Sequence, residues 1–508
     1  MSENINRVVV VGGGTAGWLT ATVIAAHHQS EGPNGLEVVL VESSDIPTIG
    51  VGEGTWPTMK NTMKQIGISE AELFRNCHAA FKQGGKFVDW VHGNGDFYYH
   101  PFTVPLGYGR LDLAPYMDHI EDYAADSNFQ HHVCEAGLAP RTMAETEYQG
   151  KCNYAYHLDA GAFSEVLKHH GREKLGVRQV IDTVEDVMLS ESGDIESIQL
   201  KEQGALSGDL FVDCTGFASL LLGKAMGVPF VDVSSVLFND RALAMQVPYE
   251  RDDMPLATHT IATAQNAGWI WDIGLTHRRG IGHVYSSDYL SDDEAEQNLR
   301  NYIGEAADGL EARKISFRSG YRETWWKNNC VAVGLSAGFV EPLEATAIML
   351  VEISARYIAE NLPPTRRVLP VVSRRFNSQM SYRWSRIIDF LKLHYMLSKR
   401  DEPYWRAHCD EASFPDSLRE DLALWACRGP VSADFDSAIE LFPAASYQYV
   451  IYGMGFKPDF SQQAYLYRQQ QEAEQIVQRN RLLTDQMLQA LPPHRDYIEQ
   501  WLASTREH

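Results

Sequence analysis

The chain has 508 residues, of which 44% are hydrophobic and 22% charged, and its formal net charge is −23 at pH 7. This composition is typical of a globular protein, and the acidic excess disfavours nucleic acid or an anionic membrane as a partner because both bind basic faces. No apolar stretch approaches the length of a membrane-spanning helix, and the N-terminal residues lack the layout of a signal peptide. The seven cysteines include no CxxC pair, which favours reduced thiols over structural zinc. We expect a cytoplasmic protein without a metal site that acts on a small molecule.

The first elements predicted along the chain are a buried strand, a glycine-rich turn and a helix. Residues 7–11 are "RVVVV", and the turn that follows, "GGGTAG", fits the pattern G-x-G-x-x-G. In this strand–turn–helix context the pattern predicts a dinucleotide whose pyrophosphate lies at the helix N-terminus. The residues predicted to contact it are Gly12, Gly14, Thr15, Ala16 and Gly17. A second predicted strand ends at Glu42, an acidic residue suited to the ribose hydroxyls of the adenosine half.

Two later segments indicate that the dinucleotide is FAD. The stretch 208–219, "GDLFVDCTGFAS", resembles the strand-to-glycine element through which two-domain FAD enzymes approach their cofactor again. Near residue 330 another buried strand precedes a pair of glycines and a helix. A second G-x-G-x-x-G is absent from the sequence, so we expect reducing equivalents to arrive as reduced flavin made by another protein.

A helix is also predicted between the glycine turn and the middle of the chain. The stretch Ser69–Glu72 has the pattern of a capping box, and Leu73, Cys77 and Phe81 have the spacing of one helix face. Lys82 then falls near the predicted helix end. An interior lysine there would lose solvation and have a lowered pKa, whereas an exposed one would satisfy terminal carbonyls, and the residues alone leave both readings open.

Several motifs in combination make the chain resemble the flavin-dependent halogenases of the tryptophan/indole type. These are "GGGTAGW", "GVGEGTWP" at 50–57, "AFKQGGKFVDW" at 80–90, "YYHPF" at 98–102, "GWIWDIG", "GFVEPLEATA" and "RIIDFLKLHY" at 386–395. The resemblance implies an α/β fold: a Rossmann-like FAD-binding domain of the flavoprotein monooxygenase type, an inserted substrate-side sheet and a mostly helical C-terminal subdomain. It adds to the predicted FAD contacts Gly50, Gly52, Glu53, Gly334 and Leu343.

The resemblance also assigns the chemistry. In the family, reduced FAD, dioxygen and a halide give a hypohalous acid that passes through an internal tunnel to a lysine beside the aromatic substrate. That lysine matches Lys82, and Glu344 matches the glutamate that orients the hypohalous species or takes the proton from the substrate. The family halide position matches Thr346 and Ala347, at the start of a predicted helix whose unsatisfied N–H groups favour an anion. Ala345 and Ala347 replace the serine and glycine common in the family, so the sequence does not predict chloride over bromide, and the larger halide is expected to be tolerated at least as well.

The tryptophan pair belongs to a strand in which alternate side chains share a face. Trp269 and Trp271 match the family signature W-x-W-x-I-P, whose tryptophans are thought to line the passage between flavin and substrate and to separate the two. Gly274 replaces the proline of that signature. A wall beside the cofactor is therefore the prediction, and an ordinary sheet core is the alternative.

The substrate is the least determined feature. His100 and Phe102 match positions that sandwich an indole ring, and Tyr447 matches one of two tyrosines that hold the amino-acid end of tryptophan. Gln448 stands at the second tyrosine position and Met454 where an acid is expected. Because an unpaired ammonium is costly to bury, indole, or a larger indole-bearing molecule such as a peptide, is predicted over free tryptophan. Packing of a helical lid is the alternative role for these tyrosines.

The predicted organisation has three parts. Residues 1–225 and 321–360 form the FAD-binding domain, 226–320 a substrate-side sheet region, and 361–508 a helical substrate or lid subdomain. The Gln-rich helix near the C-terminus predicts a solvated face or a homodimer contact. Two other functions stay open: a flavin-dependent aromatic monooxygenase (hydroxylase or epoxidase), and a flavin-binding scaffold without activity.

Overall fold

Two groups of elements make up the chain, whose computed structural model describes residues 4–33, 35–44, 52–437 and 440–505. Contacts between Cα atoms gather the residues up to Ala79, Leu158–Val233 and Phe317–Trp384 into a first unit. Ala80–His157, Ser234–Ser316 and the residues from Ser385 onward form a second unit. The three-part division predicted from the sequence stays a prediction beside this grouping.

The strands and helices are numbered in chain order. The strands are β1 (Arg7–Val11), β2 (Glu37–Glu42), β3 (Gly52–Gly54), β4 (Ala80–Lys82), β5 (Gly84–Val88), β6 (Phe97–Pro101), β7 (Ala155–Asp159), β8 (Arg178–Ile181), β9 (Val184–Leu189), β10 (Ile195–Leu200), β11 (Gly204–Ser207), β12 (Leu210–Asp213), β13 (Phe230–Asp232), β14 (Arg241–Pro248), β15 (Thr260–Ala264), β16 (Trp269–Gly274), β17 (Arg278–Tyr285), β18 (Arg313–Ser316), β19 (Gly320–Arg322), β20 (Trp326–Lys327), β21 (Cys330–Ala332) and β22 (Gly338–Phe339). The helices are α1 (Thr15–His28), α2 (Met59–Ile66), α3 (Glu70–Asn76), α4 (Tyr123–Ser127), α5 (Phe129–Glu135), α6 (Ala160–Lys174), α7 (Asp292–Ile303), α8 (Thr346–Asn361), α9 (Leu369–Met396), α10 (Pro403–His408), α11 (Asp416–Arg428), α12 (Ala444–Gly453), α13 (Gln470–Ala490) and α14 (His494–Ser504).

A six-stranded sheet organises the first unit, in the order β20-β21-β12-β1-β2-β8. β1 lies between β12 and β2 and runs parallel to both, with Val9 opposite Phe211 on one side and Val39 on the other. The valines of β1 are buried, as expected for a parallel strand covered on both faces. α1 packs against α6 and α8. The two later segments join the sheet of the first strand, because β12 pairs with β1 and β21 pairs with β12. Their predicted approach to the cofactor stays a prediction.

A seven-stranded sheet organises the second unit, in the order β18-β14-β17-β16-β15-β5-β6. It is antiparallel except where β15 runs parallel to β5, with Thr260 opposite Gly85. Its core includes Leu243, Ile270 and Ile281, which pack with Leu299 of α7. The C-terminal residues are helical as predicted, from α9 to α14. None of the helices in the described part of the chain is long and apolar enough to cross a bilayer.

The helix predicted to reach Lys82 is wrong in its second half. Its start is confirmed, because Ser69 caps α3 by accepting a hydrogen bond from the Glu72 amide at 3.1 Å. α3 ends at Asn76, and His78 has a left-handed φ of 51°, which stops the helix. The chain then forms β4, where Phe81 pairs with Tyr156 of β7. Pairing with a strand distant in sequence overrides the local helical spacing, so Lys82 lies on a strand.

Candidate active site

The glycine-rich turn has the close contacts that its motif predicts. Gly12 has φ of 116°, and a Cβ atom there would lie 2.1 Å from the carbonyl oxygen of Cys214. A Cβ at Gly17 would lie 1.8 Å from the Gly12 carbonyl oxygen. A Cβ at Gly14 would have nothing within 4 Å, so this side of the turn is open among the described residues. The turn therefore packs tightly against neighbouring backbone at Gly12 and Gly17 and leaves space for a ligand at Gly14.

The start of α1 supplies the donors for a phosphate group. The helix begins at Thr15 after Gly14, and its first turn, "TAGW", contains no acidic residue. Gly14, at the N-cap, has no side chain that could cap the free N–H groups, and neither do Ala16 and Gly17 in the first turn. The helix dipole and these N–H groups therefore favour an anion such as a pyrophosphate, and the residues fit an adenine dinucleotide.

The third glycine segment approaches the same turn. Gly334 has φ of 74°, and a Cβ there would lie 2.7 Å from the Cβ of Ala16. The Val333 amide donates to the Asp213 carbonyl at 2.9 Å, and the Cys214 amide donates to the Val11 carbonyl at 2.8 Å. The structure thus brings together three predicted cofactor segments that are far apart in sequence.

Glu42 lies at the end of β2, next to the glycine turn. Its carboxylate accepts a hydrogen bond from Trp18 Nε1 at 3.3 Å and forms an ion pair with Lys168 at 3.0 Å. A Cβ at Gly13 would lie 1.8 Å from a carboxylate oxygen of Glu42. The glycine at position 13 is therefore what allows this carboxylate to lie against the turn.

The remaining predicted cofactor contacts are partly described. Gly52 and Glu53 form the short strand β3, and burial raises the pKa of Glu53 to about 7. Leu343 is buried. Gly50 lies outside the residues that the structure describes.

Glu344 lies immediately before α8, where the sequence predicts a helix start. The carboxyl-bearing residue is buried, and its backbone carbonyl accepts a hydrogen bond from Trp56 Nε1 at 2.8 Å. Ala345, the N-cap, has a left-handed φ of 53°, and the helix begins at Thr346. Because alanine has no capping side chain, the N–H groups at Thr346 and Ala347 lie at an end of the helix that favours an anion.

Lys82 lies at the end of β4 in the second unit. The residue is 5% exposed, and its Nζ lies 5.3 Å from the centroid of the Phe102 ring, within the range of a cation–π contact. The Gln83 amide donates to the Thr258 carbonyl at 2.7 Å, and the Phe102 amide donates to the Gln83 carbonyl at 3.1 Å. The second of these bonds holds Phe102, one predicted substrate ring, beside the residue that follows the predicted transfer lysine.

His100 and Tyr447 contact the same aromatic side chain. His100 Nε2 forms a hydrogen bond with Ser446 Oγ at 2.9 Å, and its ring centroid lies 5.6 Å from that of Phe390. The Tyr447 ring lies 4.9 Å from Phe390. The Tyr447 hydroxyl is buried without a hydrogen-bond partner among the described residues, and burial raises its pKa well above the ordinary value.

The two tryptophans of β16 share one face, as the alternation predicts. Their ring centroids lie 6.4 Å apart with an interplanar angle of 63°, and Trp269 also contacts Trp90 at 6.3 Å. A Cβ at Gly282 would lie 2.2 Å from the Trp271 ring. Both indoles are therefore packed inside the second unit, and whether they also separate flavin from substrate stays a prediction.

Two residues at these positions were not predicted as functional. Trp56 holds the Glu344 carbonyl, and Ser446 holds the His100 ring. Trp56 is part of the motif "GVGEGTWP", but its partner lies 288 residues away along the chain. A single sequence contains no signal for such a distant hydrogen bond.

Comparison with known proteins decides the family. The family model for tryptophan halogenase matches residues 7–470. The chain belongs to the tryptophan halogenase family. It is 36% identical to the 7-chloro-L-tryptophan 6-halogenase of Kutzneria sp. (strain 744), over 97% of this chain and 98% of that protein.

Solved structures agree with the family assignment. The crystal structure of the tryptophan halogenase from Shewanella frigidimarina NCIMB 400 superposes with a TM-score of 0.93 and 44% identity, covering 99% of this chain and 98% of that one. The flavin-dependent halogenase BrvH from Brevundimonas sp. BAL3 superposes with a TM-score of 0.85 and 33% identity, covering 98% and 100%. The chain is a flavin-dependent halogenase with a Rossmann-like FAD-binding fold.

Proposed function

We propose that the chain uses FADH2, dioxygen and bromide or chloride to halogenate an indole-type aromatic, and that indole is a better substrate than free tryptophan. When bound, reduced flavin would supply two electrons to dioxygen, and the partly reduced oxygen would then oxidise the halide to a hypohalous acid with release of water. A separate flavin reductase supplies the FADH2, because the sequence contains a single G-x-G-x-x-G.

The contact between Lys82 and Phe102 carries this proposal. A buried lysine with its ammonium end 5.3 Å from the ring of Phe102 suits delivery of an electrophilic halogen to an aromatic guest at that ring. Flat rings such as those of Phe102 and His100 bind an indole by stacking, which leaves its orientation to neighbouring groups. Ser446 supports such a role for His100, since its hydroxyl fixes one ring nitrogen.

Three residues of the first unit have the complementary roles. Thr346 and Ala347, in the uncapped first turn of α8, bind the halide through their N–H groups. Glu344 orients the hypohalous acid or accepts the proton that the substrate loses when the carbon–halogen bond forms. The substrate intermediate is a strong acid, so the placement of this carboxylate matters more than its basicity.

The region of Gln448 supports indole over tryptophan. The Tyr123 hydroxyl donates to Gln448 Oε1 at 3.0 Å, and Gln448 Nε2 donates to the Pro430 carbonyl at 3.0 Å. Met454, at the C-cap of α12, is buried and apolar. The Gln448 amide is already hydrogen-bonded to the protein, and the Met454 thioether is uncharged. Neither position therefore offers a charged partner to the ammonium group of tryptophan, and a buried charge without a partner is costly.

The test is a reaction with FAD, a generic flavin reductase, NADH and bromide, in which indole and tryptophan are supplied separately and product masses are recorded. Lys82→Ala removes the transfer amine. Lys86→Ala is the matched control, because Lys86 lies on the next strand and also packs over aromatic rings, with Nζ 4.2 Å from the Phe97 centroid. We expect brominated indole from the protein and from Lys86→Ala, and none from Lys82→Ala.

Three results would contradict the proposal. A mass gain of one oxygen without bromide indicates a monooxygenase. Brominated product that persists in Lys82→Ala removes the role of this lysine. Faster bromination of tryptophan than of indole would overturn the substrate assignment and indicate Asp112 as a partner for the ammonium group. Asp112 is a buried carboxylate with an oxygen 3.5 Å from Gln448 Nε2, and burial raises its pKa to about 6.

A further inference from the structure

Gln83 follows Lys82 in the chain, and its buried side chain has no role in the chemistry above. Its backbone is held on both sides, because its amide donates to the Thr258 carbonyl at 2.7 Å and its carbonyl accepts from the Phe102 amide at 3.1 Å. The side-chain Nε2 donates to the Leu138 carbonyl at 2.8 Å. The side-chain oxygen accepts a hydrogen bond from a second buried glutamine.

That second glutamine is Gln130, near the start of α5. Gln130 Nε2 donates to Gln83 Oε1 at 3.2 Å and to the Asn153 carbonyl at 2.6 Å. Gln130 Oε1 accepts from the Thr103 amide at 2.8 Å. Both glutamines have no solvent exposure. The two side-chain amides therefore join the residue after the proposed transfer lysine to the residue after the proposed substrate ring.

The backbone partners determine the orientation of both side chains. Because the Thr103 N–H group can only donate, the oxygen of Gln130 must face it, and the NH2 group faces Gln83. Because the Leu138 carbonyl can only accept, the NH2 group of Gln83 faces it, and the oxygen faces Gln130. The hydrogen bonds thus run in one direction from Thr103 to Leu138. Since side-chain amides do not titrate, this connection keeps its geometry when the pH changes.

Asn128 holds the other side of Thr103. As the N-cap of α5, Asn128 accepts from the Gln130 amide through Oδ1 at 2.8 Å. Its Nδ2 donates to the Thr103 carbonyl at 2.5 Å. Phe102 is thus bound through its own amide to Gln83, and through its neighbour in the chain to α5. The ring that contacts the proposed transfer amine is therefore held at two consecutive backbone positions.

We propose that Gln130 is a positioning residue that holds the Phe102 ring at its distance from Lys82, so that the electrophilic halogen reaches an aromatic guest before it escapes into solution. Its side chain connects Thr103 to Gln83 and closes a ring of hydrogen bonds that includes the one between Gln83 and Phe102. In the reaction, a carbon of the guest gains the halogen of the hypohalous acid and loses a proton, and water is released. The inference rests on the proposed function, since it takes Lys82 as the amine that delivers the halogen.

The first measurement is amide hydrogen exchange, which needs neither flavin nor substrate. Mass spectrometry with electron-transfer fragmentation resolves the Phe102 amide, which donates to the Gln83 carbonyl. The wild-type chain is compared with Gln130→Met, in which an unbranched side chain of similar length lacks the donor and the acceptor. The matched control is Asn239→Leu, because Asn239 is another buried amide of the second unit and accepts from the Tyr404 hydroxyl at 2.9 Å.

We expect the Phe102 amide to exchange at least about 10 times faster in Gln130→Met, because the buried Thr103 amide and Gln83 oxygen lose their partner and favour local opening. Asn239→Leu should leave this rate unchanged. A wild-type exchange rate in Gln130→Met would overturn the proposal. So would equal increases in both variants, since these would reflect general loosening of the second unit.

The second measurement determines where the bromine is found. The reaction with FAD, flavin reductase, NADH, bromide and indole is run with excess monochlorodimedone, which consumes hypobromous acid that escapes into solution. In Gln130→Met we expect the share of bromine on indole to fall about 10-fold or more, while total brominated product stays within about 2-fold of the wild-type value. Partial unfolding would lower both products together. An unchanged share in Gln130→Met would therefore contradict the positioning role.

A wild-type chain that brominates neither compound would contradict the proposed function, and exchange of the Phe102 amide then decides this inference by itself. Gln83→Met provides a second variant if Gln130→Met does not fold. It removes the link between the two side chains but keeps the hydrogen bond between Gln130 and Thr103, so we expect smaller changes in the same directions. Wild-type values of both the exchange rate and the bromine share in Gln83→Met would contradict the proposal.

Discussion

Two helices of the first unit begin with the same physical property, although the sequence encodes it in different ways. α1 begins after Gly14 and α8 begins after Ala345. Neither N-cap has a side chain that can satisfy the first N–H groups, and the first turns "TAGW" and "TAIM" contain no acid. Both helix starts therefore favour an anion.

The difference lies in the residue that turns the chain into each helix. Before α1 the turn consists of glycines, one of which has φ of 116° and no steric alternative to glycine. Before α8 an alanine adopts φ of 53°, a conformation that costs an L-residue about 1 kcal/mol. The proposed pyrophosphate site at the N-terminus of α1 can thus be recognised from a glycine pattern. The proposed halide site at the N-terminus of α8 can be recognised only through family resemblance.

The largest effect is expected at the glycine turn. Gly17→Val places a Cβ 1.8 Å from the Gly12 carbonyl oxygen, so the turn and α1 must separate. We expect FAD affinity to fall more than about 100-fold and the free energy of unfolding to fall by about 3 kcal/mol or more. Flavin fluorescence titration and urea unfolding measure the two quantities. Gly14→Ala is the control, because its Cβ meets no described atom within 4 Å and the fold should be retained; wild-type FAD affinity in Gly17→Val would refute this account.

The next largest effect, on the halogenation rate, distinguishes the N-terminus of α8 from that of α1. Glu344→Gln removes the carboxylate but not the backbone that Trp56 holds at 2.8 Å. We expect halogenated product to form at least about 100 times more slowly, since the proton acceptor is lost, while FAD affinity is unchanged. Glu360→Gln, at an exposed position near the far end of α8, should leave both unaltered. Product formation at the wild-type rate in Glu344→Gln would remove this glutamate from the chemistry.

A pH effect is expected at Glu352, which connects α8 to α2. Its carboxylate accepts hydrogen bonds from Thr62 Oγ1 at 2.5 Å and, nearby, from Thr58 Oγ1 at 3.2 Å. Burial raises its pKa from 4.5 to about 7, although the threonines and Arg356 lower it. The folded chain then holds a proton that the unfolded chain has released, so the free energy of unfolding falls as pH rises from about 4.5 to about 7, by at most about 3 kcal/mol from this group.

Glu352→Gln checks that sign. The amide cannot titrate, so the loss of stability over this pH interval should be smaller in the variant than in the wild-type chain. Urea unfolding at several pH values measures the difference. An equal slope in both proteins would show that Glu352 has the same pKa in the folded and unfolded chains.

The same contrast explains how much of the molecule could be predicted from its sequence. β1, α1 and β2 follow one another, and each is determined by its own apolar pattern, so they were predicted correctly. The start of α3 at Ser69 was also predicted because a cap is local. Its end was not, since the left-handed His78 and the pairing of β4 with β7 depend on residues about eighty positions away.

Close approaches between distant segments were equally invisible. Gly334 allows its loop to lie against Ala16, where a Cβ would come within 2.7 Å of the alanine. A glycine at position 334 is apparent in the sequence, but the atom that requires it is not. The hydrogen bonds of Trp56 and Ser446 are of the same kind. Family resemblance supplied the predicted role of Lys82, which the mistaken helix could not have supplied.

The smallest effect returns to Ala345, the residue that distinguishes the two helix starts. Ala345→Gly removes the penalty of a left-handed φ of 53°, at the cost of a more flexible unfolded chain, so we expect a gain in the free energy of unfolding of up to about 1 kcal/mol. Ala355→Gly, at a fully buried position inside the same helix, should instead lower it by about 1 kcal/mol or more. Urea unfolding of both variants gives opposite signs if the N-cap of α8 is strained as described. Equal losses in the two variants would mean that position 345 has an ordinary helical backbone, and that the two helix starts differ more than their chemistry suggests.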